Sequence, residues 1–281
     1  MSEPTERSYK YNAQAKILHG NLVLPLVQTI HPQAHTQLPE EGGYRAAHSL
    51  DYRLEGVLSY EKAYSQVSGN AGVKPGQGWS TLTTTVIEKL NILEVLTADR
   101  VVGQIITEHP LVGYVPTISF LGTRFENLRI AGHPVELDLD LNLLGDKPGN
   151  DAAYASNAGV VSRVASQYER IRSHKELPAE AADRYNRLSS NLGSPEAVEC
   201  SLINQASGGY PGTSFGHIIH VPHFGTITLA KLVVTHSDPH PDSGVPKKTQ
   251  LQLRMIELKL GCAIHGELAL AENDPNGVPE P

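Results

Sequence analysis

Cysteine is scarce in this chain: Cys200 and Cys262 are its whole complement in 281 residues. That excludes a small scaffold stapled by disulfides. Both residues lie in strand-like segments, so a pair and two buried thiols both stay open. Runs of Lys or Arg are missing, and the net charge is −7. A broad phosphate-binding face is thereby excluded, and no nucleic-acid partner is expected. No apolar run is long enough to span a bilayer, so no membrane partner is expected. The greasiest stretch near the start, residues 22–27, is broken by Pro25. The opening MSEPTERSYKYNAQAK lacks the apolar core of a signal peptide. As written, the chain is expected in the cytoplasm; with a leader removed, it would be secreted or at the surface. HExxH, C-x-x-C and GK[ST] are all absent, and with them the commonest metal, redox and phosphate motifs.

What is present points to strands. Gly 25 and Pro 19 supply many turns, and 40% hydrophobic against 19% charged residues describes a globular chain. Residues 1–10 and the acidic, Pro- and Gly-rich 271–281 are expected to be loose tails. Between them, 11–270 reads as a single β-rich domain. Segments 15–30 and 50–60 read as strands, and 80–108 is rich in the β-branched residues that suit a pleated surface. In HPVELDLDLNLLG, Leu137, Leu139, Leu141 and Leu143 alternate with Glu136, Asp138, Asp140 and Asn142, a strict period of two. Residues 154–190 change to helical spacing, with Val160, Val164, Tyr168 and Ile171 on one stripe. Pro178 stops one helix and starts another. Strands then resume. Along QLQLRMIELKL the buried parity passes from Leu251, Leu253 and Met255 to Ile256, Leu258 and Leu260. That is the mark of a β-bulge or of a strand buried on both faces. Strands, then helices, then strands is not a doubly wound order. The expected fold is mainly β: a β-sandwich or distorted barrel with a two-helix insertion around 155–190.

Several residues invite a chemical reading. Gly212-Thr213-Ser214-Phe215-Gly216 matches G-x-S-x-G, which makes Ser214 a candidate nucleophile. A hydrolase places that serine between a strand and a helix, whereas here a strand follows, so a tight turn is the plainer reading. The chain holds 13 histidines. His217, His220 and His223 lie in GHIIHVPHFG, and His236, Asp238 and His240 follow in HSDPHPDSG. Imidazoles with a carboxylate suit a divalent transition metal, with Glu257 or Asp238 as a base. Solvated strand and loop histidines are the competing reading. Glu136, Asp138 and Asp140 form a carboxylate row able to hold a hard cation or simply to face water. Gly72, Gly76 and Gly78 read as a flexible loop, with the single tryptophan, Trp79, beside it.

Three stretches, TADRVVGQIITEHP, ISFLGTRFENLRIAGHPVELDLD, and GHIIHVPHFGTITLAKLVV followed by LQLRMIELKLGCAIHG, resemble the β-rich bacterial proteins grouped as choice-of-anchor domains. The resemblance covers about two thirds of the chain. Phe125, Asn127, Leu128, Gly132, Pro134 and Val135 carry it as strand and turn formers, so it implies a β-rich scaffold and no chemistry. Three functions stay open: a non-enzymatic binding or self-associating scaffold, with a homo-oligomer or protein partner; a metal-dependent enzyme or metal-binding protein; and a Ser214 hydrolase.

Overall fold

The computed structural model describes residues 7–25, 27–54, 56–72, 78–238, 247–261 and 263–280. In chain order the strands are β1 (Tyr9–Leu24), β2 (Gln28–Gln33), β3 (Thr36–Gln37), β4 (Gly43–Leu54), β5 (Leu58–Ala71), β6 (Trp79–Ile92) and β7 (Leu96–His109). Short strands β8 (Thr117–Ser119), β9 (Arg124–Glu126), β10 (Arg129–Ile130), β11 (His133–Pro134) and β12 (Glu136–Leu139) come next. Helices α1 (Ala158–Arg172) and α2 (Ala179–Ser190) follow. The chain finishes with β13 (Ala197–Ser201), β14 (Ile203–Ser207), β15 (Thr213–Phe215), β16 (Ile218–Val221), β17 (Gly225–Ser237), β18 (Lys248–Gly261) and β19 (His265–Pro279).

Two large antiparallel sheets face each other. One runs β15-β16-β17-β18-β19-β1-β2, with β13 on β17 and β3 on β1. The other runs β11-β10-β7-β6-β5-β4, with β8 and β9 on β7. Strands β1, β19 and β18 of the first pack on β5, β6 and β7 of the second. Neither sheet closes on itself among the described residues. The fold is therefore a sandwich with a helical insert, and the barrel alternative falls.

The helices form where the periodicity puts them. Asn157 caps α1 by accepting from the N–H groups of Gly159 and Val160. Val160, Val164, Tyr168 and Ile171 are buried beneath it. Pro178, which has no N–H to lose, precedes α2.

The parity change in β18 belongs to a line that crosses the whole sheet. Lys231 pairs with Arg254 and Leu229 with Ile256, but the rung at Ala230 and Met255 is skipped. Arg254 pairs with Glu272 and Ile256 with Leu270, and the rung at Ala271 is skipped. Lys16 pairs with Glu272 and Leu18 with Leu270, skipping Ile17. No residue is inserted, so of the two readings the sequence left open the bulge is not what forms. Instead Ala230 and Ala271 adopt left-handed φ values of 45° and 52°. Such a residue turns the pleat over without shifting register.

The second sheet does the same. Its rungs are skipped at Asp51, Glu61, Lys89 and Asp99, which stand opposite one another in the flanking registers. Asp51 and Lys89 have φ 48° and 56°. Across each line, side chains i and i+3 share a face. Tyr60 and Ala63 are both buried for that reason, as are Ala98 and Val101.

The C-terminal segment corrects an expectation. From Ala271 it is the second half of β19, paired with β1 as far as Pro279 opposite Tyr9. Ala271, Glu272, Asn273 and Asp274 are all buried. At the other end, Tyr9 and Lys10 already belong to β1. Pro275 is tolerated because pairing with β18 ends at Asn273. The Leu251 N–H, which would otherwise lack a partner, donates to Asn276 Oδ1 at 2.9 Å. The leucine row is also shorter as a strand than its pattern: β12 stops at Leu139, and the Asp140 carboxylate turns the chain by accepting the Asn142 N–H at 2.9 Å.

A left-handed alanine costs about 1–2 kcal/mol, and glycine relieves it. Ala271→Gly should therefore leave thermal stability unchanged or raise it. Ala269→Gly, buried at ordinary φ on the same strand, should lose about 1 kcal/mol. Paired melting curves of the two variants check this.

Candidate functional site

The face of the first sheet next to α2 carries a row of charges that crosses five strands. Arg184 on α2 bonds Glu199 on β13 at 2.5 Å. Lys231 on β17 reaches Glu199 at 3.9 Å and Glu257 on β18 at 3.2 Å. Arg254 joins Glu257 at 3.1 Å to Glu272 on β19 at 2.6 Å. Lys16 and His19 on β1 complete the row, at 3.1 and 3.2 Å from Glu272. The inverted pleat makes this spacing feasible. Arg254 and Glu257 are three residues apart on one strand yet point the same way, as do Lys16 and His19.

Burial sets the electrostatics. The Glu272 side chain is only 2% exposed. Burial pushes its carboxyl up, but His19 and Arg254 outweigh that and hold it well below the usual range. Glu257 is likewise raised by burial and brought below normal by Lys231 and Arg254. Of the row's cations only Lys16 acts on Asp274, two residues on, and it does not offset burial. Burial, with the Glu272 charge beside it, pushes it up to about 6. Its Oδ2 accepts from Gln14 Nε2 at 2.9 Å, while Oδ1 has no partner.

At the α2 end of this row lies a cleft of about 300 Å3, between Leu177, Pro178, Arg184 and Tyr185 on one side and Phe215, His220, Lys231 and Glu257 on the other. Arg184, Lys231 and Glu257 are engaged in the ion pairs above. The cleft floor is therefore largely neutralised within the protein.

The histidines do not share one place. His217 is buried, with Nε2 3.0 Å from the Tyr185 hydroxyl and Nδ1 unpartnered. Burial, helped by Lys231 and Arg184, pushes it down to about 3, so it is neutral at ordinary pH. His220 is exposed on β16, and His223 sits in the following turn at φ 60°. His236 is near the far end of β17, 3.2 Å from Thr249 Oγ1. Thr226, opposite His220, and His236 are ten positions apart on that strand, or roughly 30 Å. Asp238 is ion-paired with Lys247 at 2.9 Å. His240 lies outside the described residues. Among the described residues, no three His, Cys, Asp or Glu side chains converge on a point.

Ser214 lies within β15, and its hydroxyl donates to the Ala206 carbonyl at 2.6 Å. Neither the strand-to-helix elbow nor a neighbouring base surrounds it. Glu136 and Asp138 are exposed. Cys200 is a buried free thiol that burial pushes up, and Cys262 lies outside the described residues. Of the glycine loop, Gly76 lies outside them too. Trp79 stacks on Tyr9 at 5.2 Å, packing against a small core of Tyr9, Tyr11, Ala13, Ala15, Leu38 and Val67.

A different feature was not singled out from the sequence: the edge of the second sheet. β4 is twelve residues long, lies at the end of the strand order and is exposed or half-buried throughout. The other ends of the two large sheets are β2, with six residues including Pro32, β15 with three, and β11 with two. β4 has neither proline nor lysine, its charges are Arg45, Asp51 and Arg53, and Tyr44 and Leu50 stand out at 57% and 59% exposure.

A family model described as a domain of unknown function, DUF8256, matches residues 9–235, and the chain belongs to that family. The match takes in both sheets' first strands, the helical insert and β17. No curated protein and no solved structure matches this chain.

Asp274 gives a pH test. Its folded value lies above the unfolded carboxylate value of about 3.9, so the fold binds this proton more tightly. The stabilisation is complete below about pH 4 and is lost as pH rises through 6. Asp274→Asn should therefore raise stability at pH 8 by about 2–3 kcal/mol and change little at pH 4. Denaturant titrations at the two pH values check the difference.

Proposed function

We propose that this chain is a non-enzymatic β-rich scaffold that associates with other polypeptide by strand addition at β4. The observation that carries it is the bare edge. A strand at the end of a sheet presents unpaired N–H and C=O groups to whatever approaches, and stable proteins blunt such edges by shortening, proline, lysine or cover. Three of the four ends of the two large sheets are short, and β2 carries a proline. The fourth is long and uncovered among the described residues. Strand addition supplies main-chain hydrogen bonds for affinity and alternate side chains for choice of partner. The cleft beside α2 supports this reading from the other side. Arg184, Lys231 and Glu257 at its floor are already held in ion pairs within the protein.

The test is hydrogen exchange of residues 43–50 with and without an extended eight-residue peptide of alternating threonine and valine. Slowed exchange confined to β4 and its neighbours on peptide addition is expected. Ala46→Pro, which removes a backbone donor at an exposed position, should abolish the slowing. Exchange unchanged at millimolar peptide in a chain that is monomeric would overturn the reading.

A further inference from the structure

We propose that the strand received by β4 is β4 of a second copy, in antiparallel register about a two-fold axis through Ala47. This rests on the edge-association reading above. Four observations lead to it.

First, β4 is usable only in part. The pleat inverts at Asp51, at φ 48°, and Gly43 is left-handed at φ 97°, so a continuous pairing face runs from Tyr44 to Leu50. Second, within that stretch the faces are fixed by the β5 register. Arg45, Ala47 and Ser49 lie opposite the buried Val67, Ser65 and Ala63. Tyr44, Ala46, His48 and Leu50 therefore take the outer face. Side chains opposed across an antiparallel pair must share a face, so only registers that keep this parity are allowed.

Third, the segment is complementary to its own reverse in one of them. With Ala47 on the axis, Tyr44 stands opposite Leu50 of the second copy on the outer face, twice. Arg45 then meets Ser49, and Ala46 meets His48. The two exposed apolar side chains of the segment cover each other, and no like charges oppose. A shift of two residues one way sets His48 against His48 and carries Tyr44 beyond the inversion. The shift the other way pairs Tyr44 with His48 and leaves Leu50 opposite Gly42. Fourth, seven residues from each copy, Tyr44 to Leu50, exchange about six to eight backbone hydrogen bonds, joining two sheets into one continuous sheet.

The full chain should then form a dimer, seen as a concentration-dependent mass by light scattering. Leu50→Lys removes both Tyr–Leu pairs from an exposed site and should weaken the dimer roughly tenfold or more. Register is read by cysteine substitution on a Cys262→Ser background with diamide as oxidant. Ala47→Cys should give a reducible covalent dimer, while His48→Cys and Ala46→Cys, which report the two shifted registers, should not. A chain that stays monomeric to millimolar concentration overturns the proposal, as does a dimer indifferent to Leu50→Lys. So does cross-linking at 46 or 48 in preference to 47. If the chain stays monomeric but the threonine–valine peptide still protects residues 43–50, the second-copy proposal fails and edge association stands. If neither occurs, both fail.

Discussion

A β-strand can move its side chains to the opposite face without losing register only where its backbone leaves the extended region. Both sheets of this protein do so, each along one line. In the first the line runs through Ile17, Ala271, Met255 and Ala230; in the second it runs through Asp51, Glu61, Lys89 and Asp99. A left-handed residue on a single strand would put that strand's apolar side chains out of step with its neighbours. Here every strand of the row changes face at the same rung, with left-handed residues on alternate strands, so neighbours stay in step and both halves of each sheet bury an apolar face. The cost of a few left-handed residues is set against the burial of the entire core.

The same geometry governs the charges. Glu272 is buried on a central strand, and a lone buried carboxylate would be untenable. The inversion gathers Lys16, His19 and Arg254 around it from two neighbouring strands, with Glu257 and Lys231 continuing the row. Glu272 shares three cations and Glu257 two, so the row acts as a network rather than as separate bridges. At Asp274 that supply thins to Lys16 alone, and burial raises its affinity for a proton.

Much of this was legible in the sequence. The parity change at Met255 and Ile256 showed directly in the residue pattern, although its nature as an inversion without insertion depends on β17 and β19 doing the same. The helices were plain from Val160, Val164, Tyr168, Ile171 and Pro178, because amphipathic helices carry their signal locally. The C-terminal strand was hidden. AENDPNGVP has the composition of a solvated tail, and it is a strand only because β1 supplies its ladder and Asn276 stands in for a missing rung. The charge row was hidden as well, since its members are spread from Lys16 to Glu272 and meet only through register. The histidines misled for the opposite reason: closeness in sequence along β16 and β17 is distance in space.

Edge strand β4 was the least legible element, since exposure on both faces erases the alternation that reveals a strand. Its exposure also bears on what an assembly would look like. Pairing about a two-fold axis uses the same edge on both copies, so the contact closes and nothing is left to propagate. The remaining sheet ends are too short, or too interrupted by Pro32, to start a second ladder. The inversion at Asp51 sets the other limit, because beyond it the partner's side chains would meet the wrong face. A long bare edge is ordinarily an aggregation hazard. Here the line that organises the interior also measures off a segment of that edge, long enough for one defined contact and too short for a sliding one.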